Sequence, residues 1–123
     1  MAQGGFALSV DTWKEYEPLA SILVEKDARD ILALEMSKTT ISTDFFVICT
    51  MNSPKQMAAV RDALLEELKR KQFKILFFDK GNEYDWMVVD AGDVVFHLFS
   101  KKGRDYYRLE DLWNGVRKIR ISS

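Results

Sequence analysis

The chain has 123 residues, 47% of them apolar and 30% charged, which suits one globular domain with a modest core and excludes a disordered polar tract. Its net charge of −1 excludes a global positive field for gathering phosphates, so a nucleic-acid role would need a local basic patch. One cysteine, Cys49, excludes an internal disulfide and fits a reducing compartment.

Residues 1–12, with the pair Gly4-Gly5, read as a loose N-terminus. The opening MAQGGFALSV has neither a signal-peptide core nor an Arg-rich transit pattern. No apolar run approaches the roughly 18 residues of a membrane helix, and the expectation is a soluble cytoplasmic protein. Thr12 to Lys26 has helical spacing in Trp13, Tyr16, Leu19, Ala20 and Leu23, and Thr12 with Glu15 has capping-box spacing. Pro18 either kinks this helix or is its true first-turn residue. DILALEM (30–36) and DFFVICT (44–50) read as strands, the second apolar on both faces. NSPKQMAAVRDALLEELKRKQ predicts the clearest helix. Ser53 caps it, Pro54 suits its first position and Gln56 completes a capping box. Met57, Val60, Leu64 and Leu68 line one side, and Glu66–Arg70 and Glu67–Lys71 can pair on the wet side. FKILFFD, WMVVD and DVVFHLF follow as three strands, then a short helix around YRLEDLW and a basic tail, VRKIRISS.

This order predicts an α/β fold, a mixed five-stranded sheet with helices packed on it. The 44–79 segment reads as a βαβ unit with parallel strands. Residues 13–114 form the single expected domain, and 115–123 a basic C-terminal tail.

The hairpin WMVVDAGDVVFHLF carries the densest chemistry. With Ala91-Gly92 as a two-residue turn, Asp90 faces Asp93, Val88 faces Val95 and Trp86 faces His97, all on one side of the ribbon. The other side, Met87, Val89, Val94, Phe96 and Leu98, is wholly apolar and belongs to the core. A shared-proton carboxylate pair is conceivable, but His97 stands about 13 Å along the strand from Asp93. No hydroxyl nucleophile is evident beside it, and three convergent metal ligands are lacking. The plainer reading of His97 is a half-buried histidine donating one hydrogen bond. No phosphate-cradling glycine motif occurs, and no catalytic residue, cofactor or metal is expected. From Asp79 to Asp93 there are five acids (Asp79, Glu83, Asp85, Asp90, Asp93) and one base, Lys80. With Tyr84 and Trp86 inside it, this acidic patch reads either as a docking surface for a basic partner or as a solvated hairpin rim.

The stretch DWMVVDAGDVVFHLFSKKGRDYYRLEDLW resembles the signature of the ribosomal silencing factor family, also called Iojap. Its matching positions are Trp86, Asp90, Gly92, Asp93, His97, Arg104, Tyr107, Leu109, Glu110, Leu112 and Trp113. ARDILALEM and ISTDFFVICTMNSPKQMAAVRDALLEELK resemble the family's first strand, second strand and long helix. Met51-Asn52-Ser53 stands where the family has a Gly-Thr-Ser type turn, with the serine cap kept.

The resemblance implies a fold similar to the nucleotidyltransferase core, though the Asp-x-Asp metal pair of those enzymes is absent. It also implies a non-enzymatic repressor of translation. Such a protein docks on ribosomal protein fourteen of the large ribosomal subunit and sterically blocks joining of the small subunit under nutrient limitation. It would be a homodimer when free and make no sequence-specific contact with nucleic acid. Trp86 is then the first partner-binding candidate, with Asp85, Asp90 and Asp93 as electrostatic contacts and Tyr84, Tyr107 and Glu110 beside them. Arg104 is expected to reach Glu110 or Asp90 internally. A nucleotide-binding protein of the nucleotidyltransferase type and a docking domain for another protein are the alternatives.

Overall fold

The computed structural model describes residues 2–81 and 84–122, with side chains from residue 11 onward. In chain order the elements are α1 (Ala2–Glu25), β1 (Arg29–Glu35), β2 (Phe45–Met51), α2 (Pro54–Arg70), β3 (Phe77–Phe78), β4 (Trp86–Asp90), β5 (Val94–Ser100), α3 (Lys101–Tyr107), α4 (Leu109–Leu112) and β6 (Lys118–Ser122). The strands form one mixed sheet of order β3-β4-β5-β2-β1-β6. Only β2 and β5 are parallel; every other neighbouring pair is antiparallel.

The centre of the sheet follows from composition. β2 and β5 are buried at every position, as strands covered on both faces must be, and both read as unbroken apolar runs. Alternate residues divide between two faces. On the helical face Ala33, Val47, Cys49, Val89, Phe96 and Leu98 pack with Leu19 and Leu23 of α1 and Met57, Val60, Leu64 and Leu68 of α2. On the opposite, open face a smaller cluster of Leu32, Leu34, Phe46, Ile48, Val95 and Phe99 is roofed by Leu109 and Trp113, with Trp86 and Val88 at its margin.

Helix α2 begins as its sequence predicts. Ser53 Oγ accepts the Gln56 N–H at 3.0 Å, while Gln56 Oε1 accepts the Asn52 N–H at 2.6 Å. Gln56 Nε2 also donates to the Lys26 carbonyl at 2.9 Å, which ties this start to the end of α1. Arg70 pairs with Glu67 rather than Glu66, through two bonds of 2.9 and 2.6 Å.

Five sequence expectations are corrected. Helix α1 is described from Ala2, so Thr12 lies inside it rather than capping it; its hydroxyl donates instead to Asp44 Oδ2 at 2.7 Å. The parallel neighbour of β2 is β5, not the strand at 77–78. The more apolar β4–β5 hairpin takes the central place, and the short β3, beside Asp79 and Lys80, is left at the edge. The sheet has six strands, not five, because the basic tail pairs with β1. Ile119 and Ile121 pack on the helical-face core while Lys118 and Arg120 are exposed, the alternation of a half-buried edge strand. The helix expected around YRLEDLW is two helices, broken at Arg108, whose φ of 48° is left-handed. The hairpin turn is centred on Gly92–Asp93, with the Ala91 N–H donating to the Val94 carbonyl at 2.9 Å.

That turn follows from Gly92, whose φ of +86° suits the first central position of a two-residue hairpin turn. Asp90 therefore faces Val95, Val88 faces His97 and Trp86 faces Phe99. The like-charge pair Asp90–Asp93 does not form. Both faces keep the side chains assigned to them, because the register moves by two residues.

A second glycine fixes α3. Ser100 Oγ accepts the Gly103 N–H at 2.9 Å and donates to Asp85 Oδ1 at 2.8 Å. A Cβ on Gly103 would stand 2.0 Å from the Asp85 carbonyl oxygen. Gly103→Ala should therefore push α3 off the β4–β5 ladder and cost about 1–3 kcal/mol, as overpacking does. Gly115→Ala, which meets nothing within 4 Å, serves as the control. Thermal unfolding followed by circular dichroism measures both, and equal losses would refute the close-approach argument.

Candidate functional site

β4 is the last full strand on its side of the sheet, and α3 and α4 cover the open face only as far as Trp86. The indole of Trp86 is half-buried. It stacks on Phe99 at 5.0 Å with an interplanar angle of 30°, and meets Tyr107 at 4.8 Å. Its Nε1–H donates to His97 Nδ1 at 3.1 Å. Stacking and hydrogen bond together hold the ring in one orientation with part of its surface in solvent. Beside it lie Tyr107, 44% exposed, and Tyr106, 77% exposed, while Phe77, 54% exposed, stands at the far end of β4. Phe77 faces Asp90 across the β3–β4 ladder and so shares the open face. The result is an apolar, aromatic strip at a sheet margin, a composition enriched in protein interfaces.

Carboxylates border this strip. Asp85 and Asp90 stand at opposite ends of β4, about 17 Å apart for five residues, and Asp93 is exposed beyond the turn. Asp85 accepts the Ser100 hydroxyl, Asp90 Oδ1 accepts the Gly92 N–H at 2.9 Å, and Asp79 Oδ2 accepts the Val88 N–H at 2.7 Å. Glu83 lies outside the described residues. Tyr84 packs with the helical-face cluster, its hydroxyl 3.5 Å from the Met51 carbonyl, so it stands apart from Trp86.

Glu110 is engaged internally. Arg104, 8% exposed, donates through Nε to Glu110 Oε2 at 2.9 Å and through Nη1 to Thr50 Oγ1 at 2.8 Å. It reaches Glu110 as the sequence suggested, and Thr50 rather than Asp90. The fold thus brings Trp86 and Tyr107 together, arranges Asp85, Asp90 and Asp93 along a rim, and diverts Tyr84 and Glu110. Phe77, Phe99 and Tyr106 escaped the sequence reading. Phe99 becomes legible once Gly92 rather than Ala91 opens the turn, because it then falls opposite Trp86.

His97 is buried rather than half-buried, and through Nδ1 it accepts a hydrogen bond. The proton of the neutral ring therefore sits on Nε2, which has no partner among the described residues. The Phe46 ring stands 4.5 Å away, edge-on. Burial pushes the imidazole pKa down from 6.5 to about 4. The Cys49 thiol, fully buried, is pushed up to about 12 by the same loss of water. No helix of the described residues is long and apolar enough to cross a membrane.

The family model described as "Ribosomal silencing factor during starvation" matches residues 10–123. The chain is 39% identical over 89 residues to "Ribosomal silencing factor RsfS" of Bacillus subtilis, an overlap of 72% of this chain and 75% of that one. It is 33% identical over 104 residues to "Protein Iojap, chloroplastic" of Arabidopsis thaliana, 84% of this chain and 43% of that one. A crystal structure of a Chromobacterium violaceum protein superposes with a TM-score of 0.74 at 31% identity, covering 89% of this chain and 92% of that one.

The buried state of His97 sets a pH dependence. Its folded pKa, about 4, lies below the ordinary value of 6.5 that the unfolded chain should show. The stability it contributes is therefore present above pH 6.5 and is lost as pH falls toward 4. The full difference is roughly 3 kcal/mol at 1.36 kcal/mol per pKa unit. Urea unfolding at a series of pH values should show this loss, and His97→Phe should flatten the profile between pH 6.5 and 4. An unchanged profile in the variant would show that His97 is not the titrating group.

Proposed function

The chain belongs to the ribosomal silencing factor family, and on that premise we propose that it docks through the Trp86 face on ribosomal protein fourteen of the large subunit. Docked there in the cytoplasm, it stands in the way of the small subunit and lowers translation when nutrients are short. The family is a regulatory one, and the mechanism is steric, with no bond made or broken. The free protein is a homodimer in this reading.

One observation carries the site assignment: Trp86 is clamped in a fixed orientation yet partly exposed, at the margin of the cover that α3 lays on the open face. An oriented aromatic ring loses little conformational entropy on binding, which is why such residues serve as anchors. Asp90 and Asp93 add the negative rim that steers a basic ribosomal protein. Tyr107 extends the contact by stacking on Trp86, while Asp85 acts through Ser100 to hold β4 and α3 in place. Tyr84 and Glu110, turned to internal partners, contribute at most from the margin.

Sedimentation with purified large subunits tests this. Trp86→Ala should weaken co-sedimentation at least tenfold, in keeping with an interface anchor worth 2 kcal/mol or more. Circular dichroism should still show the folded sheet. Asp90→Lys with Asp93→Lys should slow association and reduce its salt sensitivity. Unchanged sedimentation and unchanged subunit joining in the folded Trp86→Ala variant would remove this face from the mechanism.

A further inference from the structure

The far edge of the same sheet has the opposite charge. β6 sets Lys118 opposite Leu34 and Arg120 opposite Leu32, so both bases share the open face with Trp86. Arg117 and Lys38 continue the exposed basic row, and the segment 112–122 contains three bases and no acid. Arg120 donates to the Ser122 carbonyl at 3.4 Å and pairs loosely with Asp30, at 3.9 Å between side chains 56% and 60% exposed, a pairing too wet to neutralise it.

Beside this row, between Lys38 and Arg117, opens a cavity of about 520 Å³, within the roughly 300–1,000 Å³ range of ligand clefts. Trp113, half-buried, lines it. Glu35 lines it too and is only 8% exposed. Its backbone N–H donates to the Arg117 carbonyl at 2.9 Å. An aromatic wall, a carboxylate acceptor and a fringe of cations match the parts of one unstacked nucleotide. The base stacks, its amino edge donates, and the backbone phosphates meet Lys and Arg.

We propose that this cavity and the β6 edge dock a single-stranded stretch of RNA. One base sits against Trp113 with its N–H edge on Glu35, and the backbone runs along Lys38, Arg117, Lys118 and Arg120. The identity of that RNA as ribosomal rests on the ribosome-docking reading above; the chemistry of the site does not. β4 and β6 are four strand spacings apart, about 19 Å. One face can therefore meet a basic protein at Trp86 and phosphates at Arg120, where a ribosomal surface passes from protein to RNA.

Fluorescence anisotropy of the full chain with a labelled twelve-nucleotide single-stranded RNA of mixed sequence tests the proposal. Trp113→Leu, which keeps an apolar side chain in the roof, should weaken binding roughly tenfold, the loss of one stacked base. Lys118→Ala with Arg120→Ala, both on the surface, should reduce the slope of log K against log salt by about 1.4, at 0.7 per charge for single strands. The four variants Trp113→Leu, Lys38→Ala, Arg117→Ala and the β6 pair should keep their affinity for the isolated basic ribosomal protein, while Trp86→Ala should lose it and still bind RNA. That contrast separates failure of one site from failure of the other. No binding at low salt, affinity undiminished in the β6 pair, or equal affinity for a duplex of the same length would overturn the proposal. Competition by guanosine monophosphate as strong, mole for mole, as by the RNA would make this a small-molecule site and overturn it as well.

Discussion

A sheet whose two central strands are buried on both faces needs cover on each side. β2 and β5 have no polar face to turn toward water, so their burial is the constraint on which the remaining architecture depends. Two long helices close one side. The other side is closed only by α3, α4 and the turn to Trp113, which span the middle of the sheet and stop. The strands beyond them, β3 and β4 on one flank and β6 on the other, keep open surface because no further helix among the described residues lies over it. Incomplete cover is thus a consequence of element lengths, and both proposed docking surfaces occupy it.

What occupies the uncovered flanks is legible in the side chains. On the β4 flank the apolar strip of Phe77, Val88, Trp86 and Tyr107 meets Asp85, Asp90 and Asp93; on the β6 flank Lys118 and Arg120 replace them. The two signs cancel in the net charge of −1, which is why composition alone pointed away from nucleic acid. Charge sums are blind to segregation across a fold, and here the segregation arises from strand order, since β4 and β6 are placed on opposite sides of the β5–β2–β1 core.

The sequence disclosed the elements governed by local physics. Helix α2 has a cap, a proline and an apolar stripe within a few residues of one another, and it begins where those signals meet. The sides of the hairpin were legible because period-two alternation survives a shift of two residues. Strand pairing was not, since the choice between β3 and β5 as the neighbour of β2 depends on which is apolar enough to be buried twice, a comparison across 50 residues of chain. The turn was misplaced by one position because Ala-Gly and Gly-Asp compete as central pairs, and only the positive φ of Gly92 decides. The strand at 118–122 was overlooked since three bases in nine residues resemble a solvated tail, although Ile119 and Ile121 carried the alternation. For the site, Trp86 and its acids stood out by type, whereas Phe99 and Phe77 are ordinary core letters until register places the first opposite Trp86 and the second opposite Asp90.

The reactive groups of the hairpin are held in ways that favour contact over chemistry. His97 spends its Nδ1 lone pair on the Trp86 indole, and burial suppresses its charge, so protonating it would cost both the hydrogen bond and the dry environment. Cys49 is sealed among apolar side chains with its thiol held protonated. Glu110 is committed to Arg104, and Asp85 to Ser100. A general base needs a proton affinity near neutrality and access to a substrate, and burial takes both from His97 and Cys49. What remains at the surface is an oriented ring bordered by carboxylates. The proposed docking by shape and field uses both, and the buried histidine helps to keep the ring in place.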